Sequence, residues 1–228
     1  MAEDIGRRRP IVTIDGPAGA GKTTVSRELA RRLSFTYVDT GALYRGLAVL
    51  ARDAGIAADD DAGLEALCGG TSLAFRPDLR GTRLFAGNRD LTDFLRTPEI
   101  SLLSSAVSAR PVVRSWLLSV QRDLGLAGGA VFEGRDTGTV VFPEAEAKFF
   151  LLADPAVRAR RRYEELRAKG LPAELESVAA DMEKRDRNDS TRALAPLAPA
   201  ADAVILDSTS MSVDEVVEAM LARVLALL

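Results

Sequence analysis

The sequence predicts an α/β fold, a parallel sheet core flanked by helices, on three observations. The apolar run "IVTI" (11–14) leads directly into a glycine-rich loop and then a helical pattern. The later runs "AVFE" (130–133) and "AKFFLLA" (147–153) show little polar alternation, as strands buried on both faces do, and "FTYV" (35–38) and "AVILD" (203–207) read as further strands. Helical stretches separate most of these runs, the order expected of parallel strands joined by helices.

Each element follows from its local pattern. Val12 and Ile14 continue the first strand, which ends at Asp15. "KTTVSRELARRL" spaces Val25, Leu29 and Leu33 on one helical face. "TGALYRGLAVLARDAG" reads as a helix with Thr40 as its expected N-cap. "TSLAFRP" and "TRLFAGNRDLT" read as short strands with a turn at Gly87 and Asn88, so residues 58–95 form a small insertion with its own hairpin. Two helical stretches follow, broken at Pro111. "DPAVRARRRYEELRAKG" is an arginine-rich helix and "ELESVAADMEKRDRND" another. "ALAPLAPAAD" is a connector, and "SVDEVVEAMLARVLALL" closes the chain as an amphipathic helix capped at Ser212.

Composition removes several classes of function. Of 228 residues, 47% are hydrophobic, enough for a proper core. The formal net charge of −3 argues against a general nucleic-acid binder, which needs a basic face. The chain has no histidine and one cysteine, Cys68. Serine–histidine and cysteine–histidine catalysis, an internal disulfide and the usual zinc sites are thereby excluded. No apolar stretch reaches the length of a membrane span, and the start "MAEDIGRRRP" lacks an apolar signal core. A soluble, cytoplasmic protein is expected. Lysines are only Lys22, Lys148, Lys169 and Lys184, so nearly all positive charge is arginine. The plain reading is a codon-composition bias; where arginines cluster on one face, bidentate phosphate recognition is a competing reading.

Gly16, Gly21, Lys22 and Thr23 fit G-x-x-x-x-G-K-[ST] between a strand and a helix, the P-loop pattern. Its glycines turn backbone N–H groups toward phosphate oxygens at the positive end of a helix dipole. Lys22 would reach the β- and γ-phosphates, and the Thr23 hydroxyl would face Mg²⁺. The motif does not name the reaction. An N-K-x-D-like segment for a GTP-reading switch is missing, and the chain is short for a motor, so a small kinase remains. Such a kinase needs a second anion site and a cover that excludes water.

Three further groups bear on that second site. Arg185, Asp189 and Arg192 fall at i, i+4 and i+7 on one predicted helix, which by spacing alone favours a solvated salt-bridge ladder. Arg158, Arg161 and Arg162 crowd one face of the preceding helix, where they repel each other unless an anion is present; this fits phosphate-clamping arginines in a lid or, equally, an arginine-rich surface helix. "EGRDTGTVVFP" (133–143) follows a strand directly, at the sheet edge where ligands bind, which marks Glu133, Arg135 and Asp136. "DTGALYR" (39–45) occupies the same edge, with Arg45 one turn into its helix.

Together "TIDGPAGAGKTT", "DTGALYR", "EGRDTGTVVFP" and "RDRNDSTR…APLAPAADAVILDST" resemble the bacterial cytidylate kinases, of the P-loop nucleoside-monophosphate kinase group, from about residue 10 to 225. The resemblance implies a P-loop NTPase-type core with a small monophosphate-binding insertion and a helical lid. The core would be residues 10–57, 96–153 and 190–228, the insertion 58–95, and the lid with its hinge helices 154–189. It implies phosphoryl transfer from ATP to CMP or dCMP, with Mg²⁺ as cofactor, in pyrimidine metabolism. The expected partners are these small molecules, with no nucleic acid and no membrane, and the family suggests a monomer.

Carried onto this chain, the resemblance implies an ATP-phosphate loop of Gly16, Pro17, Ala18, Gly19, Ala20, Gly21, Lys22, Thr23 and Thr24, with Thr23 on the metal. Arg158 and Arg161 would serve the lid side. Arg45 and Arg135 match arginines around the acceptor phosphate, with Thr40 and Tyr44 beside Arg45 as candidates. Ser105, Arg114 and Asp136 match positions around cytosine. Arg185, Asp189 and Arg192 match contacts to the acceptor's sugar and phosphate, which reverses the salt-bridge preference. Lys22, Arg135, Arg161 and Arg192 are the candidate catalytic groups. Cytosine's N4 amino group suits the Asp136 carboxylate, and N3 or O2 suits the Arg114 guanidinium, whereas uracil sets O4 against the carboxylate. The alternatives are another small P-loop kinase, of uridylate, adenylate or shikimate type, and a non-catalytic nucleotide sensor.

Overall fold

Strand β1 (Ile11–Asp15) is buried along its whole length, and the rest of the sheet is built outward from it. The structure, a computed structural model, describes residues 9–78 and 81–228. The polar start read against a signal core lies outside these residues up to position 8. The chain falls into two compact units, one of residues up to Val38 with Gly125–Leu228, the other Asp39–Leu124.

In the first unit, β1 sits between β6 (Ala130–Glu133) and β7 (Ala147–Leu152), and pairs with both in parallel. β2 (Thr36–Asp39) and β8 (Val204–Asp207) are the outer strands, giving the order β2-β6-β1-β7-β8. This is the parallel α/β core the apolar runs predict. Helices α1 (Lys22–Leu33) and α8 (Val213–Leu225) cover one face, where Val25, Leu29, Val217 and Met220 pack with Val12, Ile14, Phe149 and Leu151. In the same unit α6 (Pro155–Ala168) and α7 (Leu175–Thr191) pack together around Ala159, Val178 and Met182.

The second unit carries α2 (Thr40–Asp53), α3 (Asp61–Gly69), α4 (Pro98–Val107) and α5, which runs from Pro111 to Gly125. It also carries an antiparallel sheet of β3 (Leu73–Asp78), β4 (Gly81–Ala86) and the short β5 (Arg89–Asp90). Gly87 and Asn88 make the expected turn between β4 and β5. Leu43, Leu47, Leu64, Leu84, Ile100 and Leu117 form its core. A Cβ on Gly46 would lie 2.6 Å from Leu84, so α2 approaches the small sheet closely because that position is glycine.

Two sequence expectations are corrected. The N-cap of α2 is Asp39, not Thr40: the Asp39 carboxylate accepts from the Ala42 N–H, and Thr40 is the first helical residue. A side-chain oxygen one residue earlier reaches the free amide, and aspartate outranks threonine as a cap. Arg192 is not on the same helix as Arg185 and Asp189. It caps α7 in an extended conformation, which turns its side chain off the ladder.

Ser212 caps α8 as expected, in a reciprocal capping box with Glu215. Replacing Ser212 with alanine removes a cap worth about 1 kcal/mol. We expect thermal unfolding of Ser212→Ala to fall by about 2–4 °C. An unchanged midpoint would mean that apolar packing alone fixes that helix end.

Candidate functional site

In the first unit the glycine-rich loop connects β1 to α1. Gly16 has φ 148°, and a Cβ there would lie 2.1 Å from the Leu151 carbonyl oxygen, so only glycine lets the loop leave β1 against β7. Gly21 precedes α1 in the left-handed region with no side-chain cap, and the first turn holds no acidic residue. This helix end presents N–H groups and a positive dipole to whatever enters the loop.

Lys22 is buried, and its ammonium donates to the Pro17 carbonyl at 2.7 Å. Its pKa is lowered to about 7, by burial first and then by the Arg135 and Arg185 charges, against the opposing pull of Glu133 and Asp15. Cations are thus crowded at the loop, an arrangement that an anion would relieve. Thr23 Oγ1 donates to Glu133 at 2.7 Å, and the Tyr37 hydroxyl donates to the other Glu133 oxygen at 2.6 Å.

The loop after β6 carries Arg135 and Asp136. Arg135 Nε donates to Asp189 at 3.0 Å, and Arg192 Nη2 donates to Asp136 at 3.3 Å. The predicted set Arg135, Asp136, Asp189 and Arg192 is therefore brought together as two crossed ion pairs, with Asp136 and Asp189 both buried. Arg185 belongs to the same electrostatic neighbourhood through Lys22. A single π-type turn, Thr137–Val141, follows. Asp15 anchors it, accepting from Thr137 N, Thr137 Oγ1 and Gly138 N at 3.0, 2.8 and 2.7 Å. Burial raises the Asp15 pKa against those three bonds.

The arginines of α6 have separate partners. Arg158 is buried and donates to the carbonyls of Ala153 and Ala18, each at 3.0 Å, and to Asp186 at 2.5 Å. It braces the phosphate loop from behind. Arg161 donates to Ser208 through the carbonyl at 2.8 Å and the hydroxyl at 3.2 Å. The Ser208 hydroxyl lies 3.0 Å from the carbonyls of both Ala20 and Leu152, so one small side chain joins loop, sheet and α6. Arg162 pairs with Glu165 on the surface. Thr24 is exposed at the start of α1.

In the second unit, Thr40 is buried at the start of α2 and Arg45 pairs with Asp39 at 2.9 Å. The Arg114 guanidinium lies 5.7 Å from the Tyr44 ring centre and donates to the Ser108 carbonyl at 3.3 Å. Ser108 in turn donates to the carbonyl of Ser105 at 2.9 Å. Candidates from α2, α4 and α5 are linked in this way.

Sequence reasoning did not single out Asp15, Tyr37, Asp39 or Ser208 as site residues. The capping preference was the available signal for Asp39. Ser208 and Tyr37 carried none, because their partners are distant in sequence. Thr23 and Glu133 are hard oxygen donors of the type Mg²⁺ takes. Among the described residues no group of three acidic, histidine or cysteine side chains could hold a metal alone. A magnesium ion here would share its coordination with phosphate and water, its usual habit.

The cytidylate kinase family model matches residues 12–225. The chain belongs to the cytidylate kinase family. The cytidylate kinase of Syntrophotalea carbinolica is 50% identical over 214 residues, covering 94% of this chain and 91% of the relative. That of Geobacter sp. strain M21 is 52% identical over 210 residues, covering 92% and 90%. A crystal structure of an uncharacterised protein from Eubacterium ventriosum aligns over 94% of this chain and 98% of its own, with a TM-score of 0.53 at 11% identity, and shares the fold.

The lowered Lys22 pKa sets a pH dependence for this family member. Between about 7 and the ordinary lysine value of 10.5 the unfolded chain keeps a proton that the folded chain lacks, so this group's contribution to stability rises with pH. Below about 7 the cost of the buried charge is fully present. In nucleotide-free buffer, Lys22→Met should exceed the wild type in melting temperature at pH 6, and the gap should shrink toward pH 9.5. A pH-independent gap would show that Lys22 is not held with a depressed pKa.

Proposed function

We infer that the protein transfers the γ-phosphoryl group of ATP to CMP or dCMP, giving ADP and CDP or dCDP. It is a phosphotransferase of the cytidylate kinase family. The observation that carries the reading is a lysine, Lys22, buried in a glycine loop at the positive end of α1, where the Arg135 and Arg185 charges also act against its own, a cost that bound phosphate offsets. The substrate follows from the relatives, which bear the name cytidylate kinase over more than nine-tenths of this chain.

In this reading residues 58–95 form the monophosphate-binding insertion and 154–189 the lid. Gly16 to Thr24 cradle the ATP phosphates. Lys22 neutralises charge on the donor side, and Arg161 joins it from α6. Arg45, Arg135 and Arg192 orient the acceptor phosphate, while Arg185 and Asp189 contact its sugar and phosphate. Asp136, with Arg114 and Ser105, reads the cytosine edge. Thr23, with Glu133 hydrogen-bonded to its hydroxyl, would hold magnesium, which would neutralise charge on the donor phosphates.

Phosphoryl transfer depends mainly on positioning and charge stabilisation. The acceptor is a phosphate oxygen that is already anionic near neutral pH, so no general base is needed. A chain without histidine can therefore run this reaction. Asp189 and Asp136 keep Arg135 and Arg192 directed. The proposed setting is pyrimidine nucleotide metabolism in the cytoplasm.

The decisive measurement is ADP release from Mg-ATP with CMP, dCMP, UMP and AMP in turn. CMP or dCMP should have the highest kcat/KM, with UMP lower by about tenfold or more, the worth of one base contact. Equal values for UMP and CMP would reject base reading by Asp136 and Arg114. ATP binding without ADP formation in any arm would indicate a sensor instead. Lys22→Ala should lower kcat by about two orders of magnitude or more, in the range of a lost charge-stabilising group, while circular dichroism stays native. Near-normal turnover would contradict the role given to Lys22.

A further inference from the structure

Asp39 divides its two carboxylate oxygens between two tasks. Oδ1 accepts the Ala42 N–H at 3.0 Å and so caps α2. Oδ2 accepts Arg45 Nη2 at 2.9 Å. A cap needs only one side-chain oxygen, and serine or asparagine supplies it as well as aspartate. The second oxygen and the negative charge are surplus to capping.

The arginine needs them. Arg45 folds back over the N-terminal turn of its own helix, where the dipole is positive and a cation is disfavoured. Gly41 leaves the room: a Cβ there would lie 2.9 Å from Arg45 Nη1 and 3.2 Å from Asp39 Oδ1. Arg45 Nε is buried with no hydrogen-bond partner, a donor whose cost an added acceptor would remove. The guanidinium is thus fixed on one edge by Asp39 and keeps donors unspent on the rest.

We propose that Asp39 is a positioning residue for the phosphoryl acceptor: it holds the Arg45 guanidinium in place before the acceptor phosphate arrives. This rests on the reading of Arg45 as an acceptor-phosphate group. A free arginine side chain samples many rotamers, and fixing it in advance lowers the entropy lost on binding. The effect belongs to the acceptor, so it appears in the KM for CMP and leaves the KM for ATP alone.

The test compares Asp39→Ser, Asp39→Ala and Arg45→Met in the full-length protein, by melting temperature and by kcat and KM for both substrates. Asp39→Ala loses cap and tether, and should melt about 2–4 °C lower. Asp39→Ser keeps the cap and should melt like the wild type. Both should raise the KM for CMP by roughly tenfold, about one lost charge-assisted hydrogen bond, with the KM for ATP unchanged. Arg45→Met should raise it at least as far, and Asp39→Ser should add nothing on top of Arg45→Met. A wild-type KM for CMP in Asp39→Ser, with Arg45→Met impaired, would overturn the proposal and leave the reading of Arg45 standing. A wild-type KM in Arg45→Met would remove that reading and the proposal with it. Asp39→Ser retains the cap, so the comparison holds even if Asp39→Ala fails to fold.

Discussion

A positive side chain buried at the start of a helix is the constraint around which the first unit is organised. Lys22 is only 4% exposed, sits at the positive end of α1, and feels Arg135 and Arg185 as further cations. Each of these terms opposes its charge. Nothing in the packing of α1 requires a lysine there, since Val25 and Leu29 fill the apolar face. The arrangement trades stability for a concentrated positive potential, the usual bargain at a site that must hold phosphates.

Rigid supports hold that potential in place. Gly16 lets the loop pass the Leu151 carbonyl, Arg158 braces it through the Ala18 carbonyl, and Ser208 joins it to the end of β7. Asp15 does the equivalent for the turn after β6, with three hydrogen bonds onto Thr137 and Gly138. The carboxylate at the end of β1 therefore locks the segment beside Arg135 and Asp136, while the residue after it begins the phosphate loop. One strand end serves both.

Carboxylate partners recur beside the candidate guanidinium groups. Asp189 holds Arg135, Asp136 holds Arg192, and Asp39 holds Arg45. Arginine suits this double use, because its planar fork has donors on two edges and one can be committed while others stay available. Spacing suggested a ladder of Arg185, Asp189 and Arg192, but α7 ends at Thr191, before Arg192. Asp189 instead reaches to Arg135 on the loop after β6, and Arg192 leaves the helix for Asp136. Local periodicity could not show this, because both partners lie more than fifty positions earlier in the chain.

What the sequence determined by itself was the set of elements and the phosphate loop. The short apolar runs of β6 and β7 are bounded and long enough for strands buried on both faces, and the glycine spacing before Lys22 permits few backbone paths. It also determined the family, through four short motifs. The cap of α2 was legible too, had aspartate been ranked over threonine at that boundary. Tertiary structure alone decided which carboxylate meets which arginine, and that Ser208 and Asp15 carry the loops. These are contacts between segments far apart along the chain, and their pairing is fixed by strand order and helix packing rather than by any spacing within a segment.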